Sequence, residues 1–254
     1  MATTTKMVLI MEYNGTNYHG FQLQANLPTI QGETEEALWK LTGERRRIMT
    51  ASRTDAGVHA REQVASFRTA SSLSPQTFVN GLNHYLPRDI AVKAAHRVDN
   101  SFNVRRDALS REYSYYILNR PTRSPIWEGL AYLVSARLDT TAMNQACQAL
   151  IGEHDFASFV TCMEARIKST VRCVYRAEIE KDGELAIFNV LANSFLPHQI
   201  RNKVGALIRV GLDKMTINEF NNLIEAKQPG MAKPTAPACG LYLTQVNYPH
   251  PWEN

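Results

Sequence analysis

Arg47-Ile48-Met49-Thr50-Ala51-Ser52-Arg53-Thr54-Asp55-Ala56-Gly57-Val58-His59-Ala60-Arg61-Glu62-Gln63-Val64-Ala65-Ser66-Phe67 is the stretch around which the chain is organised. A strand-like run, 47–51, leads in, and a second, 63–67, leads out. Between them stand the carboxylate of Asp55, a guanidinium two residues earlier (Arg53) and a glycine two residues later (Gly57). A connection that only reversed the chain needs no more than Asp-Gly. By residue type alone, 51–60 is also compatible with an ordinary polar hairpin loop, so the rest of the chain has to decide.

On the N-terminal side, 7–13 is an apolar run fit for a buried strand, closed by Asn14-Gly15. Ile30, Ala37, Leu38 and Leu41 share one face of a helix that Gly43 ends. Ser74-Pro75 gives an N-cap and a first-turn proline to a helix faced by Phe78, Leu82, Tyr85 and Leu86, which Pro87 stops. A strand over 90–98 follows. In the second half Tyr113, Tyr115 and Ile117 alternate with Glu112, Ser114 and Tyr116, as a strand does. Asp139 caps a helix faced by Met143, Ala146, Cys147, Leu150 and Ile151 and stopped by Gly152. Runs 171–180 and 184–191 flank Asp182-Gly183, the strongest hairpin signal present. Pro197 opens a helix with Ile200, Val204, Leu207, Ile208 and Gly211 on one side. Thr216 and Glu219 form a capping box for another. Gly240-Leu241-Tyr242-Leu243 begins the last strand.

Both halves therefore run strand, helix, strand, strand, helix, strand, with one additional helix in the second. This is the split βαβ pattern written twice. It predicts an α+β fold of two pseudo-symmetric βαββαβ halves with antiparallel or mixed sheets. Residues 1–105 carry the Asp55 loop, and residues 106–254 complete a central cleft. The same topological position holds a charged loop in the first half and a bare Asp182-Gly183 turn in the second. That asymmetry favours a function for the loop.

With 254 residues and 44% hydrophobic composition, each half is large enough for its own core. The formal net charge of +4 permits an anionic partner without requiring one. Cys147, Cys162, Cys173 and Cys239 show no CxxC spacing and no histidine at a zinc-ligand offset. Free thiols in a reducing compartment and no metal site are expected. No apolar run reaches membrane-spanning length and no signal-peptide pattern is present, which predicts a cytoplasmic protein with no membrane partner.

Basic residues bunch at Arg45, Arg46 and Arg47; at Arg105, Arg106 and Arg111; at Arg166, Lys168, Arg172 and Arg176; and at Arg201, Lys203 and Arg209. Any one bunch taken alone is more often a solvated face. Most are rich in arginine, whose planar fork suits phosphate, and rings stand close by: Phe102 near Arg105, and Tyr113, Tyr115 and Tyr116 near Arg111. Cations and rings together suit unpaired bases on a phosphate backbone. Arg201, beside apolar Ile200, calls for a carboxylate partner, and Asp55 is a candidate.

At these residues the chain resembles the bacterial tRNA pseudouridine synthase A family. The segments concerned are Tyr13-Asn14-Gly15-Thr16 with Gly20-Phe21-Gln22; Ser52 through Ala60; Leu82-Asn83 with Leu86-Pro87; and Phe102 with Arg105. To these are added Arg111-Glu112-Tyr113, Gly152 through Phe156, Phe195 through Arg201 with Val204-Gly205, and Gly240 through Leu243. The resemblance implies the pseudouridine synthase fold, a homodimer, no cofactor and no metal. It also implies conversion of uridine to pseudouridine in the anticodon arm of tRNA, at positions 38, 39 and 40. It puts the catalytic nucleophile on Asp55 and substrate-binding groups on Tyr113, Arg201, Arg53 and Arg105. The chain departs from the family in having Phe21 where tryptophan is common, Ser52 where glycine is common, and Asn103-Val104 where His-Ala is usual.

His59, His154 and His198 are expected to be structural, and Asp107 and Asp155 to be capping or ion-pair residues. Two other functions fit parts of the pattern. One is a non-catalytic RNA-binding protein. The other is a hydrolase pairing Asp55 with Glu62 or Asp107.

Overall fold

The computed structural model describes residues 4–161, 169–249 and 252; Cys162, Arg166 and Lys168 lie outside the described residues. The chain forms two compact units, one of Met1–Leu109 with Tyr242–Asn254 and one of Ser110–Leu241. The fold is mixed α/β, and among the described residues no helix is long and apolar enough to cross a membrane.

In the first unit, strand β1 (Thr5–Tyr13) pairs antiparallel with β3 (His59–Thr69) on one side and β4 (Ile90–Val98) on the other. Its apolar run is buried on both faces, with Met7, Val8 and Leu9 fully enclosed. The far edge of β3 is shared. Short β2 (Met49–Thr50) pairs antiparallel at Ser66 and Ala65, and β10 (Leu241–Asn247), the last strand, pairs in parallel at His59 and Ala60. Helix α1 (Ile30–Thr42) is capped by Thr29, whose side chain accepts from the Gly32 amide, and ends at Gly43 in the left-handed region with φ 73°. Helix α2 (Pro75–Tyr85) is capped by Ser74 and tied to β4 through Asn83. The Asn83 side chain donates to the Val92 carbonyl and accepts from the Val92 amide, both at 2.8 Å. That amide stands in for a strand partner, which gives the Leu82-Asn83 motif a structural purpose.

The second unit is built on an antiparallel set in the order β5 (Ser110–Asn119), β9 (Leu185–Ala192), β8 (Val171–Asp182) and β7 (Gly152–Asp155), with β6 (Tyr132–Val134) parallel to β5. Helices α3 (Thr140–Gln148), α4 (Gln199–Gly211) and α5 (Ile217–Ala226) pack with it. Its core holds the fully enclosed rings of Phe156, Phe159, Phe188 and Phe220. Each such ring stabilises the fold by about 1.5–3 kcal/mol.

Local patterns predicted most elements, and the departures have long-range causes. The run 47–51 shrinks to the two residues of β2 because the Ile48 amide donates to Glu35 of α1 at 3.0 Å, not to β3. Strand β3 begins at His59, within the expected loop, because β10 and Tyr13 supply partners there. The hairpin turn falls one residue later than Asp182-Gly183. Asp182 pairs with Leu185, leaving Gly183-Glu184 as the loop with Gly183 at φ 58°. Gly152 does not stop α3; it opens β7, at φ 104°. Strand β5 does not alternate in burial: Tyr113, Ser114, Tyr115 and Tyr116 are all buried.

Candidate active site

The segment 51–58 is not a free turn. Its backbone is held on both sides by side chains and by a second loop. The Gln63 amide nitrogen donates to the Ser52 carbonyl at 2.7 Å and to the Tyr13 hydroxyl at 3.2 Å. The Thr50 hydroxyl donates to the same Ser52 carbonyl. The hydroxyls of Tyr13 and Thr54 are hydrogen-bonded at 2.8 Å. Gln63 is fully buried and Thr54 nearly so. This sequence of bonds fixes the residues on either side of Arg53 and immediately before Asp55.

The second loop is the Asn14–Phe21 segment. The Phe21 amide donates to the Thr54 carbonyl at 3.0 Å, and the Gly57 amide to the Tyr18 carbonyl at 3.3 Å. The approach is close enough to require glycine. A Cβ on Gly15 would lie 2.1 Å from the Val58 oxygen, and one on Gly20 would lie 2.6 Å from the Thr54 oxygen. Gly57 itself sits at φ 76°, which L residues rarely adopt. Asp55 is partly buried and its carbonyl accepts from the Val58 amide at 3.1 Å. Arg53 is exposed.

His59 is fixed and buried. Its Nδ1 accepts from the Gly15 amide at 3.1 Å, and its ring stacks on Tyr242 of β10 at 4.5 Å between centroids. Acceptance at Nδ1 places the ring proton on Nε2. His59 therefore helps to hold the two loops together. His154, Asp155 and Asp107 are also engaged structurally. His154 Nε2 bonds the Ile151 carbonyl. Asp155 accepts from the Ala157 amide and the Thr170 hydroxyl. Asp107 accepts from Arg106 Nε at 2.8 Å and from the Asn103 amide at 2.7 Å. These engagements leave Asp107 a poor partner for a hydrolytic carboxylate pair.

Arg53 and Arg105 line one cavity of about 340 Å³ together with Phe21, Gln22, Gln31 and Arg47. Burial first, and then the neighbouring Arg53 charge, push the Arg105 guanidinium below its ordinary range. Arg105 is carried on a folded turn in which the Asn103 side chain accepts from the Arg105 and Arg106 amides.

Tyr113 and Arg201 belong to the second unit. Tyr113, on β5, is buried and meets Phe195 edge to face at 5.2 Å. Phe195 leads into α4, whose third residue is Arg201. Arg201 is locked to the 234–237 segment: its Nε donates to the Ala236 carbonyl at 2.8 Å, and its own carbonyl accepts from the Ala236 amide. Tyr115 is structural. Its hydroxyl donates to the Pro237 carbonyl at 2.7 Å, and burial drives its ionisation far above the usual tyrosine range.

Gln63 is a residue that motif and charge did not single out, whereas Thr54 is part of the Ser52 through Ala60 motif. Gln63 shares its face of β3 with Ala65 and Phe67, so a polar side chain among apolar neighbours was the available signal.

A family model described as tRNA pseudouridine synthase matches residues 9–107 and 146–249. That sets the class: an isomerase acting on uridine in tRNA, on the pseudouridine synthase fold. Proteins named tRNA pseudouridine synthase A from Methylacidiphilum infernorum and Pelobacter propionicus are 39% and 42% identical to this chain. The first alignment covers 95% of this chain and 94% of the relative, the second 94% and 98%. One of the same name from Francisella tularensis subsp. novicida is 40% identical over 95% of this chain and 93% of its own. The chain belongs to the tRNA pseudouridine synthase A family.

Proposed function

We propose that the enzyme forms pseudouridine in the anticodon arm of tRNA, at positions 38, 39 and 40, with Asp55 as the nucleophile. Tyr113, Arg201, Arg53 and Arg105 bind the RNA. The observation that carries this is the anchoring of the Asp55 loop. Two glycines that tolerate no Cβ, a buried amide and two bonded hydroxyls fix the backbone around one partly buried carboxylate. A turn that only reverses the chain needs none of them. A nucleophile has to meet its carbon in a narrow range of geometry, and such pre-organisation is how a protein supplies it.

The reaction breaks the N1–C1′ bond, turns the uracil, and joins C5 to C1′, while the C5 proton is lost and N1 gains one. Atoms balance without a co-reactant. The target uridine has to leave its stack, at about a few kcal/mol. Arginine forks on the flanking phosphates and an aromatic ring on the base offset that cost. The protein works as a cytoplasmic homodimer in this proposal, as its resemblance to the family implies. Sedimentation in solution tests the dimer.

Incubation with unmodified tRNA transcripts, followed by site-by-site mapping, tests the activity. Wild type is expected to convert uridines 38–40 with no change in RNA mass. Asp55→Asn is expected to make no pseudouridine while binding tRNA within a few-fold of wild type. Pseudouridine formed by Asp55→Asn at the wild-type rate removes Asp55 from its role. Released uracil would make the enzyme a hydrolase.

A further inference from the structure

The cavity that holds Arg53 and Arg105 does not end at the Asp55 loop. A second groove, of about 280 Å³, is lined by Lys6, Arg46, Arg47, Met49, Ser66, Phe67 and Arg68. Arg47 and Met49 line both. Six cations thus follow one path past β2: Arg105, Arg53, Arg47, Arg46, Lys6 and Arg68. Among the described residues, neither groove is lined by a carboxylate. Acids do reach the path from outside it, two of them in ion pairs. Glu44 pairs with Arg46 at 2.9 Å and Glu35 with Arg47 at 3.5 Å.

The far end is set up to keep like charges together. Lys6 Nζ donates to the Asn100 and Phe102 carbonyls, and Arg68 donates to the same Asn100 carbonyl at 3.2 Å. Carbonyls orient a cation without cancelling it. Burial, then Arg68, push the Lys6 ammonium below its usual range, although Asp107 and Asp99 nearby oppose this. Arg53 acts on Arg105 in the same sense at the near end. A chain of cations that repel one another is stabilised by a ligand carrying negative charge at regular intervals. Arginine forks at five places along the path match phosphate oxygens better than they match a flat anionic protein face.

We propose that the two grooves are one track for the sugar–phosphate backbone of the substrate tRNA, running from the nucleotides beside the target uridine at Arg53 and Arg105 to flanking nucleotides at Lys6 and Arg68. This rests on tRNA being the substrate, as proposed above. Arg47 is the joint, since it belongs to both grooves.

The test uses Arg47→Gln/Arg68→Gln in the full chain, with equilibrium binding of unmodified tRNA transcript at several salt concentrations. Both side chains are exposed, and a thermal melt equal to that of wild type confirms folding. The expected result is a Kd raised about tenfold at moderate salt. The slope of log Kd against log salt falls by roughly 1.4–1.8, because each phosphate that is no longer neutralised accounts for about 0.7–0.9. On a five-nucleotide RNA centred on the target uridine the double variant is expected to lose only the Arg47 share, a slope smaller by about 0.7–0.9, because that RNA reaches the near groove that Arg47 lines but not Arg68. Lys40→Gln, a charge removed from α1 off the path, leaves Kd and slope as they were. An unchanged slope in the double variant overturns the track, as does an equal weakening on the five-nucleotide RNA. Absence of pseudouridine in wild-type reactions overturns the activity instead, so the two fail separately.

Discussion

Gln63 holds the Ser52 carbonyl and the Tyr13 hydroxyl with a single amide nitrogen, and Tyr13 passes that constraint to Thr54, next to Asp55. None of the three is placed in contact with substrate, so their effect is on where the carboxylate stands. Gln63→Leu keeps the volume and removes the donor, leaving a buried carbonyl short of one partner at a cost of about 1–3 kcal/mol. A misplaced nucleophile loses rate steeply, at tenfold per 1.4 kcal/mol of barrier. The expected outcome is a single-turnover rate lowered about tenfold to a hundredfold, with Kd for tRNA within about twofold. A Kd raised in step with the fall in rate would show that Gln63 acts through the fold in general. Asp55 stands out in the sequence because charge in a short connection is conspicuous. Gln63 shows only as one polar residue among the apolar Ala65 and Phe67 on its face, and its role cannot be read until the partner strands are known. The glycines of Asn14-Gly15 and Gly20-Phe21 are visible as motif members, but their reason, a neighbouring backbone within 3 Å, exists only in three dimensions.

Helix α4 presents the same situation one level up. Its apolar side and its arginine are legible in Ile200, Arg201 and Val204, whereas the helix expected to open at Pro197 begins at Gln199, after His198 at φ 58°. The segment it lies against, 232–237, has no periodicity and could not be placed beforehand. One turn after Arg201, a Cβ on Gly205 would lie 1.7 Å from the Pro234 oxygen. The Asn202 side chain meanwhile accepts from the Thr235 hydroxyl and donates to the Phe159 carbonyl. Helix and segment are thus docked backbone to backbone, and Arg201 is bonded to Ala236 within that contact. Gly205→Ala has to part them. Overpacking of this kind costs about 1–3 kcal/mol, which in a chain of this length is a fall in Tm of roughly 2–12 °C. Because Arg201 moves with the helix, pseudouridine formation is expected to drop at least as far as in Arg201→Ala. A melt and rate equal to wild type would mean that the segment yields freely. The short strands are hidden for a related reason: β2, β6 and β7 exist through distant partners, whereas α1, α2 and α5 carry their own caps in sequence.

Lys203 bears on the stability of the chain as a folding unit. In sequence it stands with Arg201 and Arg209 in a basic bunch, yet it is wholly buried, and its ammonium has no hydrogen-bond partner among the described residues. Its Nζ lies 3.5 Å from the centroid of Phe156 and 6.0 Å from that of Phe159. The ring faces recover part of the lost hydration. Burial nonetheless pushes the amine well below its ordinary range, with the nearby Cys147 thiol acting weakly the other way. Cys147 is itself pushed up to about 12 by burial. The sign of the pH effect follows from which state holds the proton. Between the depressed folded value and 10.5, the unfolded chain binds a proton that the folded chain has shed. Unfolding is therefore favoured at low pH, and stability rises with pH through that window. This is the reverse of a lysine that gains an acidic partner on folding. Lys203→Met replaces the amine with an apolar chain of similar length, so the variant is expected to be more stable at pH 7 by about 1–3 kcal/mol. The gain should shrink as pH approaches 10.5, because other titrating groups are common to both proteins and cancel in the difference. Urea unfolding of both proteins at pH 7 and pH 10 measures it. A variant less stable than wild type at pH 7 would mean that the contact with Phe156 outweighs the desolvation of the ammonium.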